Sequence, residues 1–334
     1  MVAASLDAPA FSPAERTCRD TIAKEGVKLA KLEAKLMLSC HKRRDRERLD
    51  PGIACNDIAQ ADTRGRVAGS VARLSTVISA ACSGLNPSDL GYSACPAPCD
   101  AAVPAIGDFT DVAACVACLV ENTSESLAAN ALGSPSVPLG KDVRRCRTTI
   151  GSNWRKFYQV ILKERRLCQR QAEAEGATDT ASCRFADPRS KIQRRRANGE
   201  TAIDNRCSGV NLIEVDSCST VNLFFLKGCL FVQTDNWAET LFERFYELSA
   251  APTTTTTVPV TTTVSHTTTT VSATTTTVPA TTTTTLPGGQ DPQCPNRSVL
   301  RVLAGVGATC ATNADCLAGT CDPDLGRCRT VTDL

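Results

Sequence analysis

Apolar residues recur at helical spacing in two stretches of the first half of the chain. Spacing of three or four residues places apolar side chains on one face of an α-helix. The pattern therefore predicts two amphipathic helices joined as a hairpin. The positions of the first helix are Cys18, Ile22, Leu29, Leu32, Leu36 and Cys40. Those of the second are Val67, Val71, Leu74, Ile78 and Cys82.

The second half shows a related pattern. A long helix is predicted from Ile150, Trp154, Phe157, Ile161 and Cys168, whereas the next helix rests only on Ile192 and Ile203. Short final helices are predicted near 119–132 and 235–249. The second of these places four apolar residues on one face, which we expect to be its core side. They are Trp237, Leu241, Phe245 and Leu248.

The cysteine spacing indicates an internal duplication. Cys18, Cys40 and Cys55 recur 128 residues later as Cys146, Cys168 and Cys183. The flanking text agrees, since CRDTI follows the first position and CRTTI its counterpart. Agreement at several positions with a fixed offset indicates two copies of one unit.

These observations predict an all-α fold of two disulfide-stapled helical-hairpin units, followed by a linker and a small tail. The expected segments are a disordered N-terminus (1–17), unit 1 (18–133), unit 2 (146–249), a disordered Thr/Pro-rich stalk (251–290) and a disulfide-rich module (291–334). Residues 134–145 form the connector between the units.

Helix length restricts the disulfide pairing. Cysteines 22 residues apart on one helix are separated by about 33 Å, so Cys18 and Cys40 must bond elsewhere. In an antiparallel hairpin the end of one helix meets the start of the next. The predicted pairs are Cys18–Cys82, Cys40–Cys55, Cys146–Cys207 and Cys168–Cys183, with nested pairs Cys95–Cys118 and Cys99–Cys115 in unit 1 and Cys218–Cys229 in unit 2.

The four clustered cysteines of unit 1 have a second interpretation. Cys95, Cys99, Cys115 and Cys118 have spacing that could supply four thiolates to a structural zinc ion. Only two positions have counterparts in unit 2, and an oxidising compartment favours disulfides. We therefore expect disulfides and no metal or cofactor at this site.

Composition indicates export. The chain has 19 cysteines and only 4% aromatic residues, a combination typical of exported domains that use disulfides to support a thin core. Residues 1–17 contain neither a basic start nor a continuous apolar stretch, so no signal peptide is visible. We expect an extracellular or cell-surface location without a transmembrane segment.

The end of the chain has two distinct parts. Runs of threonine broken by Val-Pro indicate an extended spacer with many hydroxyl groups. The run CATNADCLAGTCDPDLGRC at 310–328 resembles the small EGF-like or Dickkopf-like cysteine modules of secreted proteins. That resemblance implies the pairs Cys310–Cys321 and Cys316–Cys328. Cys294 is left over, which allows either a covalent dimer or a free thiol.

Charge is distributed unevenly along the chain. Residues 141–200 contain 16 Lys and Arg against 7 Asp and Glu, although the whole chain carries only +2. Such faces bind anionic polysaccharide or lipid head groups, or simply keep a helix solvated, while nucleic acid fits an exported protein poorly. The candidate anion-binding residues are Lys24, Lys28, Lys31, Lys35, Arg194, Arg195 and Arg196.

No catalytic constellation is evident in the sequence. His41 and His266 are its only histidines, and we expect His41 to be a solvated loop residue. The leading hypothesis is a secreted or cell-surface binding and structural protein that is not an enzyme. A secreted hydrolase with a tethered accessory module is the contrasting one, and it requires converging carboxylates.

Overall fold

The computed structural model describes residues 10–135 and 138–249, and the backbone of two short strands nearer the C-terminus. The chain divides into two units, Met1–Ala251 and Pro252–Leu334. The first is mostly helical, in agreement with the predicted class. The predicted stalk, Cys294 and the implied disulfides of the tail lie outside the described residues.

Four helices build the first half: α1 (Pro13–Arg44), α2 (Ile58–Ala61), α3 (Arg66–Ala81) and α4 (Phe109–Leu132). A 3₁₀ turn, Pro87–Leu90, lies between α3 and α4. Ser12 and Asp108 each begin a helix with a reciprocal capping box. Helix α1 therefore begins inside the predicted disordered segment 1–17, because Ser12 and Pro13 supply a complete start signal.

Four helices build the second half: α5 (Lys141–Ala174), α6 (Lys191–Cys207), α7 (Leu212–Val215) and α8 (Leu223–Arg244). Helix α5 includes the last residues of the predicted connector 134–145. In the second unit, strands β1 (Gly319–Asp322) and β2 (Arg327–Thr330) form an antiparallel hairpin.

The final helices are longer than predicted. Helix α4 begins at Phe109 rather than near 119, because Asp108 caps it and the apolar positions continue from there through Val112 and Val116. Helix α8 begins at Leu223 rather than near 235, after the Asn222 cap. It ends at Arg244, so the predicted 235–249 helix is displaced toward the N-terminus.

The described residues form seven disulfides. Four of them are the pairs expected from helix geometry, and a fifth, Cys218–Cys229, joins the remaining two cysteines of unit 2 as predicted. Their Cα–Cα distances are 4.8 Å for Cys18–Cys82 and 6.1 Å for Cys218–Cys229, with the others between. The remaining pairs are Cys40–Cys55, Cys95–Cys115, Cys99–Cys118, Cys146–Cys207 and Cys168–Cys183.

The nested pairing predicted for the cysteine cluster of unit 1 is wrong. The bonds are Cys95–Cys115 and Cys99–Cys118, with Cα–Cα distances of 5.7 and 5.9 Å. Cys115 and Cys118 lie one turn apart on α4, and the segment from Cys95 to Cys99 runs along them in the same direction as the helix. Nested bonds would require that segment to run the opposite way.

Helices α1 and α5 form the centre of the fold. Helix α1 packs against α3, α4 and α5, and α5 also packs against α6 and α8. The two central helices are antiparallel, since Arg19 near the start of α1 pairs with Glu173 at the end of α5. Arg147 near the start of α5 pairs with Asp45 just beyond α1. This antiparallel contact brings the end of α1 beside the start of α5.

Candidate functional site

A basic groove lies where the end of α1, the start of α5 and the end of α6 meet. Its volume is about 460 Å³. Seven residues line it, all of them cationic or hydroxylic. They are Arg46, Lys141, Arg144, Arg145, Thr148, Thr149 and Arg206.

Four of the five groove cations, Arg144 among them, form no ion pair with any residue that the structure describes. The other three are Arg46, Lys141 and Arg206. Arg145 meets Asp142 only at 3.6 Å, and both side chains are exposed. Arg144 donates to the carbonyl of Leu139 at 2.7 Å, which holds its guanidinium in place. The groove therefore presents uncompensated positive charge to solvent.

Basic character continues along one face of α5. Ser152, Arg155 and Lys156 follow the groove residues at helical spacing. Lys42 of α1 donates from Nζ to Ser152 Oγ at 3.3 Å. Partial burial lowers the pKa of Lys42, and Arg155, Arg46 and Lys156 lower it further. These cations therefore share one positive field.

His41 lies in the buried interior near the end of α1, not in a solvated loop as predicted. It is a buried residue of α1, since the helix continues past the disulfide at Cys40. Its Nδ1 lies 3.2 and 3.4 Å from guanidinium nitrogens of Arg44 and Arg147, which can only donate. Its Nε2 therefore carries the proton and donates to Asn56 Oδ1 at 2.7 Å.

The environment keeps the imidazole of His41 neutral. Burial lowers the pKa of His41 to about 3, and the charges of Arg44 and Arg147 act in the same direction. The ring accordingly adds no charge to the groove. Its Nδ1 accepts from the guanidinium groups of Arg44 and Arg147.

The predicted lysine stripe is present but lies elsewhere. Lys24, Lys28, Lys31 and Lys35 are exposed along α1, and none of them lines the basic groove. Lys28 is paired with Glu25 of its own helix. The stripe is a solvated helix face with one internal ion pair.

The three predicted arginines of α6 do not converge. Arg194 donates to the carbonyls of Ser190 and Arg189, which are its near neighbours in the chain. Arg195 bonds to Asn153 of α5, and Arg196 pairs with Glu200. Consecutive residues of an α-helix project about 100° apart, so these three side chains point in different directions. The groove uses Arg206, at the far end of the same helix.

Sequence reasoning missed the groove because its residues come from three separated segments. The excess of basic residues after position 141 was the available signal. Lys141, Arg145 and Thr148 share one helical face of α5, but Arg46 and Arg206 join them only through tertiary packing. No local pattern identifies such partners.

The candidate zinc ligands are used in disulfides. All four thiols of the unit 1 cluster are bonded, so none is available as a thiolate. In the described part of the chain, no group of three or more His, Cys, Asp or Glu side chains is placed to hold a metal ion. Of the helices that the structure describes, none has the length and apolar character to cross a membrane.

The chemistry of the groove is that of an anion site. Guanidinium groups bind phosphate, sulfate or carboxylate through paired hydrogen bonds, and neighbouring hydroxyls add donors. The groove offers both kinds of donor from Arg144, Arg145 and Thr148, whereas the Thr149 hydroxyl already donates to the carbonyl of Arg145 at 3.0 Å. No protein family model matches the chain, and neither curated proteins nor solved structures show a significant match to it.

Proposed function

We propose that this protein is a secreted or cell-surface binding and structural protein that engages an anionic envelope component or extracellular glycan. The observation that carries this proposal is the basic groove. It combines four arginines, one lysine and two threonines without a carboxylate in its lining. A polyanion would find several donors there at once, and none of them is engaged by a carboxylate at close range.

The location rests on the disulfides. Seven bonds among the described residues fit an oxidising compartment, where such bonds persist.

Duplication of one ancestral unit is part of the proposal. Arg19 and Arg147 are 128 residues apart, and their acidic partners Glu173 and Asp45 are separated by the same interval. Each arginine also donates to a backbone carbonyl beyond the second helix of a hairpin, at Leu90 or at Val215. Reciprocal contacts of this kind are expected when two copies pack about a pseudo-twofold axis.

Only one end of this arrangement has become basic. The end of α1 and the start of α5 form the groove, whereas the opposite end holds Arg19 against Phe11 and Tyr246. Divergence of the two ends is what a binding site added to a duplicated scaffold would produce. The scaffold supplies rigidity, and the basic residues supply recognition.

Charge reversal in the groove tests the proposal. The double variant Lys141→Glu/Arg206→Glu should weaken binding to immobilised heparin or anionic envelope polysaccharide by about tenfold per charge, roughly a hundredfold in total. Neither side chain has an ion pair to lose, so folding should be unaffected. Binding of the unchanged protein should also decline steeply with added salt.

The lysine stripe of α1 supplies a matched control. Lys31→Glu/Lys35→Glu changes the net charge by the same amount on an exposed face outside the groove. The affinity of this control variant for the same immobilised polymer should remain within about threefold of that of the unchanged protein. Equal losses in both double variants would show that net charge, and not the groove, governs binding. No binding to any anionic polymer would refute the proposal.

A further inference from the structure

An apolar stripe runs along the outer face of α8. Val221 precedes the helix, and Phe224, Phe225, Gly228 and Val232 follow at intervals of three or four residues. The exposed fractions are 72% for Val221, 70% for Phe224, 47% for Phe225 and 43% for Val232. We call these five residues the α8 stripe.

The core does not use the α8 stripe. Leu226 and Leu230 occupy the opposite side of α8 and are buried against the rest of the bundle. Phe231, seven residues after Phe224, is buried against Phe157. The Cys218–Cys229 disulfide and the Asn222 cap fix the start of the helix. The stripe therefore has a fixed orientation toward solvent. Its two exposed phenylalanines belong to a chain in which only 4% of the residues are aromatic.

Gly228 forms a notch in the middle of the stripe. Phe224, Gly228 and Val232 form one i, i+4 row, which is the kind of ridge that packs against another helix. A Cβ atom at Gly228 would have no heavy atom within 4 Å, so packing inside the monomer does not require glycine there. Glycine costs a helix about 1 kcal/mol relative to alanine. The space left by the missing side chain would allow a helix of another molecule to approach α8 closely at Gly228.

We propose that the α8 stripe binds the α8 stripe of a second copy of this chain, in an antiparallel twofold contact centred on Gly228. Such symmetry places Gly228 against its own counterpart and sets each Phe224 beside Val232 of the other copy. Large side chains then face smaller ones on both sides of the notch. A flat partner such as a lipid surface would gain nothing from the notch.

The exposed apolar area suits the centre of such an interface. The two phenylalanines and two valines expose on the order of 400 Å² in one copy. A stable interface of standard size buries about 800 Å² per partner, of which the polar rim is a large part. The stripe therefore provides an apolar centre of the required size, which polar residues beside α8 would surround.

Sedimentation equilibrium of the full chain tests the contact, with non-reducing gels to exclude species linked through Cys294. The unchanged protein should form a reversible dimer. Phe224→Glu should raise its dissociation constant by at least about tenfold. Phe185→Glu should leave it unchanged, because Phe185 is also 70% exposed but lies outside the stripe.

Gly228→Leu separates a second copy from a lipid surface. The Cβ atom of the new side chain meets no heavy atom within 4 Å in the monomer, but the leucine would fill the notch and should weaken the dimer by at least about tenfold. The same variant would strengthen binding to vesicles of phosphatidylcholine and phosphatidylglycerol if the stripe entered a bilayer. A monomer at all concentrations, a dimer insensitive to both stripe variants, or stronger vesicle binding by Gly228→Leu would overturn the proposal.

Discussion

Replacing Arg147 with methionine is expected to lower the free energy of unfolding by about 3–5 kcal/mol, because it removes one partner of a buried ion pair. Arg147 Nε donates to Asp45 Oδ2 at 2.9 Å, and both side chains are almost fully buried. The same guanidinium donates to the carbonyl of Val215. Asp45 Oδ1 has no hydrogen-bond partner within the described residues, so the variant removes the side-chain hydrogen bond that its carboxylate accepts and leaves the more distant charge of Arg44 as compensation.

Denaturation in guanidinium chloride without reductant measures this loss. Arg19→Met should have an effect of similar size, since Arg19 holds Glu173 at 2.9 Å in an equally buried pair. Arg147→Met/Asp45→Leu should recover most of the loss, because no unpaired charge remains. Arg196→Met is the control. Its exposed pair with Glu200 contributes only about 0.3–0.5 kcal/mol. A loss below about 1 kcal/mol for Arg147→Met would contradict the assigned role.

The long helices and most disulfides follow from the sequence because both are fixed by local geometry. Cysteines at the two ends of a helix cannot bond to each other, which leaves few partners in a hairpin. The cluster around Cys95 and Cys118 was different. Its pairing depends on the direction of the loop relative to α4, and sequence spacing carries no information about that direction.

The site residues were less predictable because tertiary packing decides them. His41 directly follows a cysteine in a basic stretch, a context that indicates a solvated loop, yet α1 continues past it and buries it. The basic groove requires Arg46 and Arg206 to meet Lys141. The antiparallel contact of α1 with α5 brings Arg46 there, and the packing of α6 on α5 brings Arg206. The lysines of α1 formed a clear pattern in sequence. That pattern indicates that this face of α1 is exposed to solvent, and exposure alone accounts for its lysines.

Glu33 is the least expected group in the core. Its spacing from Leu29 and Leu36 places it on the apolar face of α1, and the helix buries it almost completely. Neither carboxyl oxygen has a hydrogen-bond partner among the described residues. The hydroxyls of Ser124 on α4 and Tyr158 on α5 are also buried without a partner. Glu33, Ser124 and Tyr158, one from each of α1, α4 and α5, are thus buried near one another without a hydrogen-bond partner among the described residues.

Burial raises the pKa of Glu33 to about 8; the hydroxyl of Ser124 opposes this rise, while Glu121 and Glu125 add to it. A carboxyl whose pKa is raised on folding stabilises the folded state in its protonated form. Its contribution to stability is therefore intact below about pH 4.5 and is lost as pH rises to about 8. Ionisation of Glu33 therefore lowers the free energy of unfolding at pH 8 by at most about 4–5 kcal/mol.

Glu33→Gln should remove this pH dependence. The variant should match the unchanged protein near pH 4.5 and exceed it at pH 8 by up to the full loss, since a neutral amide stays uncharged across the window. Guanidinium denaturation at intervals between these pH values measures the difference, in which contributions common to both proteins, such as that of His41, cancel. Glu33→Met should give the same change in slope with a different offset, which separates titration from packing. If the unfolding free energies of Glu33→Gln and the unchanged protein varied in parallel with pH, Glu33 would be ionised in the folded core, contrary to this prediction. A cation or a buried water would then have to stabilise the charge on its unsatisfied oxygens.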